Sequence, residues 1–158
     1  MAKQSPPFPI EKDINLEWFD ADKAVWMPYA DHGLNATFKG LFSDVVVEDI
    51  DLAKLLNPRP SSTFVVRVGG NSMKDERITS GDRLIIDKSL PYENGKKIAY
   101  WLNDFQGWTV KTLSIRNDGY WLIPANAEDT SLFEYKIQEY DIPWGMVTWI
   151  LHNEYHRK

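Results

Sequence analysis

The residue in this sequence best placed to act as a nucleophile is Ser72, which follows a pair of glycines at the end of an apolar run. Residues 63–68 are rich in β-branched side chains, and Gly69 and Gly70 then allow the backbone to turn sharply. A serine just after such a turn can project beside backbone N–H groups, which suits a nucleophile with an oxyanion hole. Most serines beside glycines are ordinary turn residues, so the pattern needs a base elsewhere in the chain.

A lysine in the middle of a second apolar segment is a candidate for that base. Residues 107–113 are predicted to form a strand, and alternation places Lys111 on one face with Thr109 and Leu113. A strand lysine is usually a solvated residue. In an apolar site, however, a lysine loses proton affinity, and a neutral lysine beside a serine is an established base for a nucleophile. The residues therefore indicate either a surface lysine or Ser–Lys acyl-transfer chemistry.

Composition and charge narrow the class of protein. The chain has 158 residues, 43% of them hydrophobic, and no cysteine, so it can bury a core but can form neither disulfides nor thiolate metal sites. Its net charge of -5 argues against direct binding to the phosphate backbone of DNA. No stretch approaches the ~20 apolar residues of a membrane span, and the N-terminus has no apolar signal-peptide core. We expect a cytoplasmic protein with no membrane contact and no direct sequence-specific DNA binding.

Turn-separated β segments dominate the chain from residue 63 onward. The predicted strands cover residues 63–68, 83–87, 97–102, 108–113, 120–123 and 146–151, with a further short one around Tyr135. This spacing predicts a mainly β fold, a compact and largely antiparallel domain. Residues 49–56 are predicted to form a short helix with Asp51 as its N-cap, and prolines such as Pro28 are expected to interrupt regular elements before residue 49. We therefore expect an extended N-terminal arm at 1–49 and a β domain at 50–158.

Six short motifs, in order and at plausible spacings, resemble the LexA/UmuD family of Ser–Lys self-cleaving proteins, peptidase family S24. They are Gly70-Asn71-Ser72-Met73, residues 78–87, Gly95, residues 109–113, residues 122–126 and Gly145-Met146-Val147. LexA and phage repressors carry a DNA-binding domain ahead of the peptidase domain. The proline-broken residues 1–49 leave no room for one, which favours the UmuD-like branch with its short arm.

The resemblance implies a role for each site residue. Ser72 is expected to be the nucleophile, Lys111 the general base, and the backbone N–H groups of Ser72 and Met73 the oxyanion hole. No cofactor and no metal is implied. His152 and His156 have metal-ligand spacing, but without a cysteine or a third nearby histidine they are interpreted as surface residues.

In this family the substrate is a segment of the chain itself, N-terminal to the core. Counting back without gaps from Ile50 puts the scissile bond at Ala36-Thr37. The family usually has a glycine where this chain has Thr37, and a β-branched residue restricts the backbone that glycine leaves free. The alternative positions, if the alignment shifts, are His32-Gly33 and Lys39-Gly40.

Two functions follow from the resemblance. The first is a UmuD-like SOS-response protein that cleaves itself and then assists a translesion DNA polymerase, with cleavage stimulated by the RecA filament and with a homodimer as the working form. The second is a non-cleaving dimerisation or docking module of LexA fold, or a regulator fragment from a phage or plasmid. The threonine at position 37 favours the second function, whereas the presence of both Ser72 and Lys111 favours the first.

Overall fold

The computed structural model describes residues 26–30, 47–56, 59 and 61–154. The described residues fall into two units, a small one that contains residues 26–30 and 47–56 and a larger one formed by residues 61–154. Within these described ranges, no helix is long and apolar enough to cross a membrane.

The small unit is a two-stranded antiparallel sheet followed by a short helix. Strand β1 is Trp26–Ala30, strand β2 is Val47–Asp51, and helix α1 is Leu52–Leu56. Pro28 lies inside β1 opposite Asp49, so the expectation that it interrupts regular structure is wrong. A two-stranded sheet has only edge strands, and an edge strand tolerates a residue without an N–H donor.

The helix begins three residues later than the sequence pattern predicted. Residues 49–51 belong to β2, and α1 starts at Leu52. The carboxylate of Asp51 accepts a hydrogen bond from the backbone N–H of Lys54 at 3.3 Å, which is the capping contact expected of this residue. Within α1 the buried side chain is Ala53, whereas Leu55 is 45% exposed.

The larger unit is a seven-stranded antiparallel sheet, which confirms the expected mainly β fold. Its strands are β3 (Thr63–Arg67), β4 (Arg83–Asp87), β5 (Lys97–Leu102), β6 (Gly107–Arg116), β7 (Gly119–Ile123), β8 (Tyr135–Lys136) and β9 (Ile142–Leu151). They lie in the order β3-β4-β9-β5-β6-β7-β8. Each predicted strand is present, and β6 and β9 are longer than predicted.

The last strand runs through the middle of the sheet and passes close to β4 at Gly145. Strand β9 pairs with both β4 and β5, and its register with β5 shifts beside Gly145, whereas its register with β4 shifts between Val147 and Trp149. Gly145 has a φ of 145°, and a Cβ placed there would lie 2.7 Å from the carbonyl oxygen of Asp87. A residue without a side chain is therefore needed for β9 to pass this close to β4.

Alternation along the strands supplies two hydrophobic cores. On β5, Ile98 belongs to a cluster with Leu113 and Leu122, whereas its neighbour Ala99 belongs to a second cluster with Phe64. The second cluster also includes two residues from the segment after β3, Met73 at 2% exposure and Ile78 at 1%. Since burying a large apolar side chain stabilises by about 1.5–3 kcal/mol, these two residues anchor the turn that carries Ser72.

Candidate active site

Ser72 lies on a short turn between β3 and a single 3-10 turn at Lys74–Glu76. The next residue, Met73, forms an isolated antiparallel bridge with Ile78, whose N–H donates to the Met73 carbonyl at 3.2 Å. The base of the turn is thus buried and hydrogen-bonded, while Ser72 itself is only partly buried. This arrangement presents the serine hydroxyl from a fixed backbone.

Lys111 approaches Ser72 from the middle of β6. Its side chain is 1% exposed, and its Nζ lies 2.7 Å from the Oγ of Ser72. The same Nζ lies 2.8 Å from the Oγ1 of Thr109 and 2.9 Å from the carbonyl oxygen of Val110. The expected alternation, with Lys111 and Thr109 on one face, is what allows these side chains to meet. Lys111 therefore does not occupy the surface position that is usual for a lysine in a strand.

The three oxygens around the Nζ of Lys111 can accept from an ammonium, and the same arrangement also accommodates a neutral amine. An uncharged lysine has two N–H donors and one lone pair, whereas an ammonium has three donors and no lone pair. The carbonyl of Val110 can only accept, and the hydroxyl of Thr109 can accept the second N–H. The lone pair is then available to the O–H of Ser72. Because burial disfavours the charged form of a lysine, the neutral form of Lys111 would be placed to accept the serine proton.

An apolar groove opens beside the pair. Ser72 and Lys111 are part of its lining, and the residues around them are largely apolar. Apolar lining residues include Val66, Val68, Ile78, Ile86, Trp108 and Trp144. A groove of this kind can hold an extended, apolar peptide segment against the serine and exclude water from it.

Aromatic side chains form one wall of the groove. The rings of Trp108 and Trp144 have centroids 3.6 Å apart, and Phe64 meets Trp144 edge-on at 4.7 Å. The Nζ of Lys88 lies 5.1 Å from the ring centroids of both Phe64 and Trp144. Sequence reasoning did not single out Trp144, because its strand was predicted to begin only at residue 146.

His152 is exposed, as its sequence position suggested, and it also contacts a buried carboxylate. Its Nδ1 lies 2.9 Å from the Oδ1 of Asp82, a residue that is 3% exposed. The other carboxylate oxygen of Asp82 accepts hydrogen bonds from the backbone N–H and the hydroxyl of Thr79. His152 therefore helps to hold the loop before β4. His156 lies outside the described residues.

The predicted cleavage site is not reached by the described residues. The candidate cleavage positions lie outside them and stay predictions: Ala36, Thr37, His32, Gly33, Lys39 and Gly40. Within 26–30, 47–56, 59 and 61–154, no group of three or more His, Asp or Glu side chains is arranged to hold a metal ion.

The chain is similar to proteins of one known family. The family model Peptidase S24-like matches residues 30–144. Protein MucA of Salmonella typhimurium and protein MucA of Escherichia coli are each 30% identical to the chain over 123 residues, which is 77% of this chain and 82% of the relative. Protein SamA of Salmonella typhimurium is 32% identical over 118 residues, 74% of this chain and 79% of the relative. The chain therefore belongs to the Peptidase S24-like family, in the UmuD-like branch that its motifs resembled.

Proposed function

We propose that this protein is a self-processing Ser–Lys peptidase of the SOS response, in which Ser72 is the nucleophile and Lys111 the general base. The observation that carries the proposal is the 2.7 Å contact between the Nζ of Lys111 and the Oγ of Ser72, made by a lysine that is 1% exposed. Membership of a family of Ser–Lys autoproteolytic peptidases supports it. The shortened product would assist a translesion DNA polymerase, as in the UmuD-like class.

The reaction needs only groups that surround this pair. The Nζ of Lys111 takes the proton of the Ser72 hydroxyl as the Oγ attacks the carbonyl carbon of the scissile bond. The backbone N–H groups of Ser72 and Met73 would stabilise the resulting oxyanion. The protonated lysine then gives its proton to the leaving amine, and the remaining ester with Ser72 is hydrolysed by water. Each cycle returns Lys111 to its neutral form.

The proposed substrate is the chain's own N-terminal arm, residues 1–49. The scissile bond would join Ala36 and Thr37, with His32-Gly33 and Lys39-Gly40 as alternatives. The apolar groove beside Ser72 suits the residues that follow, which begin with Phe38. The domain boundary near residue 49 is part of the same proposal, because the arm must be separable from the β domain that cuts it.

The proposed partners come from the family. They are a second copy of the chain, the RecA filament that stimulates cleavage, and a translesion DNA polymerase, all in the cytoplasm. The net charge of -5 supports an indirect route to DNA, since a protein that neutralises phosphates needs a basic face.

Intact-mass measurements over hours at mildly alkaline pH test the proposal. Raising the pH deprotonates Lys111 and should speed cleavage without a partner. The wild type should give two fragments whose masses identify the bond. Ser72→Ala and Lys111→Ala should give none. Lys97→Ala is the matched control, because Lys97 lies on the neighbouring strand β5 and pairs with Glu76 at 2.7 Å.

A wild type that stays intact at every pH, even with an activated RecA filament, would contradict self-cleavage. It would instead support the non-cleaving dimerisation or docking module. Fragments from both wild type and Ser72→Ala would indicate a contaminating protease.

A further inference from the structure

The loop after β7 is hydrogen-bonded to the peptide groups on both sides of the candidate nucleophile. The side-chain Nδ2 of Asn126 donates to the carbonyl oxygen of Asn71 at 2.9 Å. The backbone N–H of Ala125 donates to the carbonyl oxygen of Ser72 at 2.8 Å. In return, the N–H of Asp75 donates to the carbonyl of Ala125 at 2.8 Å. The loop thus contacts the turn immediately before Ser72, at Ser72 and just after it.

The orientation of the Asn126 amide is itself fixed. Its Oδ1 accepts a hydrogen bond from the backbone N–H of Glu128 at 3.2 Å, which leaves Nδ2 facing Asn71. The N–H of Ala127 donates to the carboxylate of Asp75 at 2.7 Å, a second bond between this loop and the turn. Asn126 therefore reaches Asn71 from a loop that is already attached to the turn.

The contact with Asn71 matters because of the geometry of one peptide bond. The carbonyl of Asn71 and the N–H of Ser72 belong to the same planar peptide group and point in opposite directions. Holding the carbonyl on one side therefore aims the Ser72 N–H towards the other. The same carbonyl also accepts from the N–H of Lys74 at 3.1 Å. Donors on the carbonyl polarise the peptide and make its N–H a better donor.

The turn needs such external bonds because its own sequence is permissive. Gly69 and Gly70 precede Asn71, and glycine does not restrict the backbone to one conformation. On the other side, the side chain of Asn71 accepts from the N–H of Ser80 at 3.0 Å. Asn71 is therefore held from two loops, and its peptide with Ser72 cannot rotate without breaking bonds to one of them.

From these contacts we propose that Asn126 is a positioning residue, which orients the Asn71–Ser72 peptide so that the Ser72 N–H faces the oxyanion formed during cleavage. This role rests on the proposed self-cleavage. It acts on the stabilisation of the transition state and not on the proton affinity of Lys111, because Asn126 contacts the turn and Lys111 approaches from β6.

The test compares Asn126→Ala and Asn126→Asp with a control in the same loop. Asn126→Asp keeps an acceptor for Glu128 but replaces the donor by an oxygen that repels the Asn71 carbonyl. The control Glu128→Gln removes the exposed ion pair with Lys74, at 2.6 Å, and leaves the Asn126 contact intact. First-order cleavage rates are measured across pH, together with thermal midpoints.

Both Asn126 variants should lower the plateau rate by roughly 10- to 100-fold, since small misplacements of reacting groups have effects of this size. The pH at which the rate is half-maximal should not move, and Glu128→Gln should cleave within about twofold of wild type, as expected for an exposed ion pair. Wild-type rates in both Asn126 variants, or a shift of the pH midpoint without a fall in the plateau, would overturn the proposal. If Asn126→Ala does not fold, the plateau rate and pH midpoint of Asn126→Asp are compared with those of the wild type by the same criteria.

A second measurement separates this proposal from the proposed function. A fluorophosphonate probe labels an activated serine without any need for the chain's own arm, and its rate can be followed by mass. Labelling of the wild type without cleavage would contradict self-cleavage. In that case, the Asn126 variants must still be labelled more slowly than the wild type if Asn126 positions the turn. Equal labelling of wild type and both variants overturns the positioning role. A wild type that neither cuts nor labels overturns both proposals.

Discussion

Strand β6 carries two basic residues in opposite surroundings. Lys111, in its middle, is 1% exposed and is bonded to two hydroxyls and a carbonyl. Arg116, at its end, has a side chain that is 37% exposed, pairs with Glu134 at 2.8 Å and lies 4.8 Å from the ring of Trp121. The hydrogen bond with Glu134 raises the pKa of Arg116 above its usual value.

The difference shows what decides the function of a basic residue on a strand. Near the hairpin between β6 and β7, water and carboxylates keep Arg116 charged, and exposed pairs of this kind contribute little to stability. In the middle of the same strand, burial makes the charged form unfavourable, so the lysine is useful as a base. Substitutions at matched positions test this contrast.

Replacing each basic residue by methionine should separate the two roles. Lys111→Met should lower self-cleavage by at least about 1000-fold, because the general base is lost. Its thermal stability should stay equal or rise, since an apolar side chain of similar size suits a buried site better than an amine. Arg116→Met should cleave like wild type. Intact masses and thermal midpoints measure both effects, and a cleaving Lys111→Met would contradict the assignment of the base.

Glycine-to-alanine substitutions compare the tolerance of the centre of the sheet for an extra Cβ with that of the β6–β7 hairpin. Gly145→Ala should lower the free energy of unfolding by about 3 kcal/mol, because its Cβ would lie 2.7 Å from the Asp87 carbonyl oxygen and its φ is 145°. Gly119→Ala, in the β6–β7 hairpin, should cost about 1–2 kcal/mol, since its Cβ would meet only the flexible side chain of Lys136 at 3.4 Å. Urea unfolding measures both. A larger loss of unfolding free energy for Gly119→Ala than for Gly145→Ala would contradict the expectation that the centre of the sheet tolerates the extra Cβ less well than the hairpin.

Two threonines on β6 differ in whether their hydroxyl contacts Lys111. Thr109→Val should lower the cleavage rate by about tenfold, because Lys111 loses one of its acceptors. Thr112→Val is the matched control. Its Oγ1 is buried with no hydrogen-bond partner within the described residues, so removing it should leave cleavage unchanged and raise stability by up to about 1 kcal/mol. Equal cleavage rates in the two variants would rule out a role for Thr109.

The smallest effect is expected at the hairpin carboxylate Asp118. Hydrogen bonds from Trp121 and then Lys136 lower the pKa of this exposed group. A lowered pKa in the folded state adds stability above the unfolded pKa, and this contribution is lost as the pH falls through the folded value. Asp118→Asn should therefore have a slightly lower thermal midpoint than wild type at pH 7 and the same midpoint at pH 2. Cleavage should not change. A midpoint difference that persists at pH 2 would contradict this account.

Much of the fold could be predicted because local patterns coincide with the final sheet. The strands at Arg83–Asp87 and Lys97–Leu102 begin and end where alternation and turn residues indicated. The strand through Pro28 could not be predicted, because a proline is tolerated there only as part of a two-stranded sheet. The early start of β9 depends on its pairing with β5, where the register shifts beside Gly145.

The features of the candidate site likewise divide into those that the sequence showed and those that only the fold determined. The type and spacing of Ser72 and Lys111 were visible in the sequence, and so was the motif that contains Asn126. The role of Asn126 was not visible, because it depends on a hydrogen bond to a residue 55 positions away. The contact between His152 and Asp82 was missed for a similar reason, since the two residues are 70 positions apart.

By itself the sequence determined which residues have the chemistry: a serine after paired glycines, a lysine within an apolar strand, and the motifs that indicate the family. The tertiary structure decided that this lysine is buried, that its Nζ lies 2.7 Å from the serine hydroxyl, and that the loop after β7 holds the turn. The reason is physical. Residue type sets what a group can donate or accept, whereas proton affinity and reach depend on burial and on neighbours that only the folded sheet brings together.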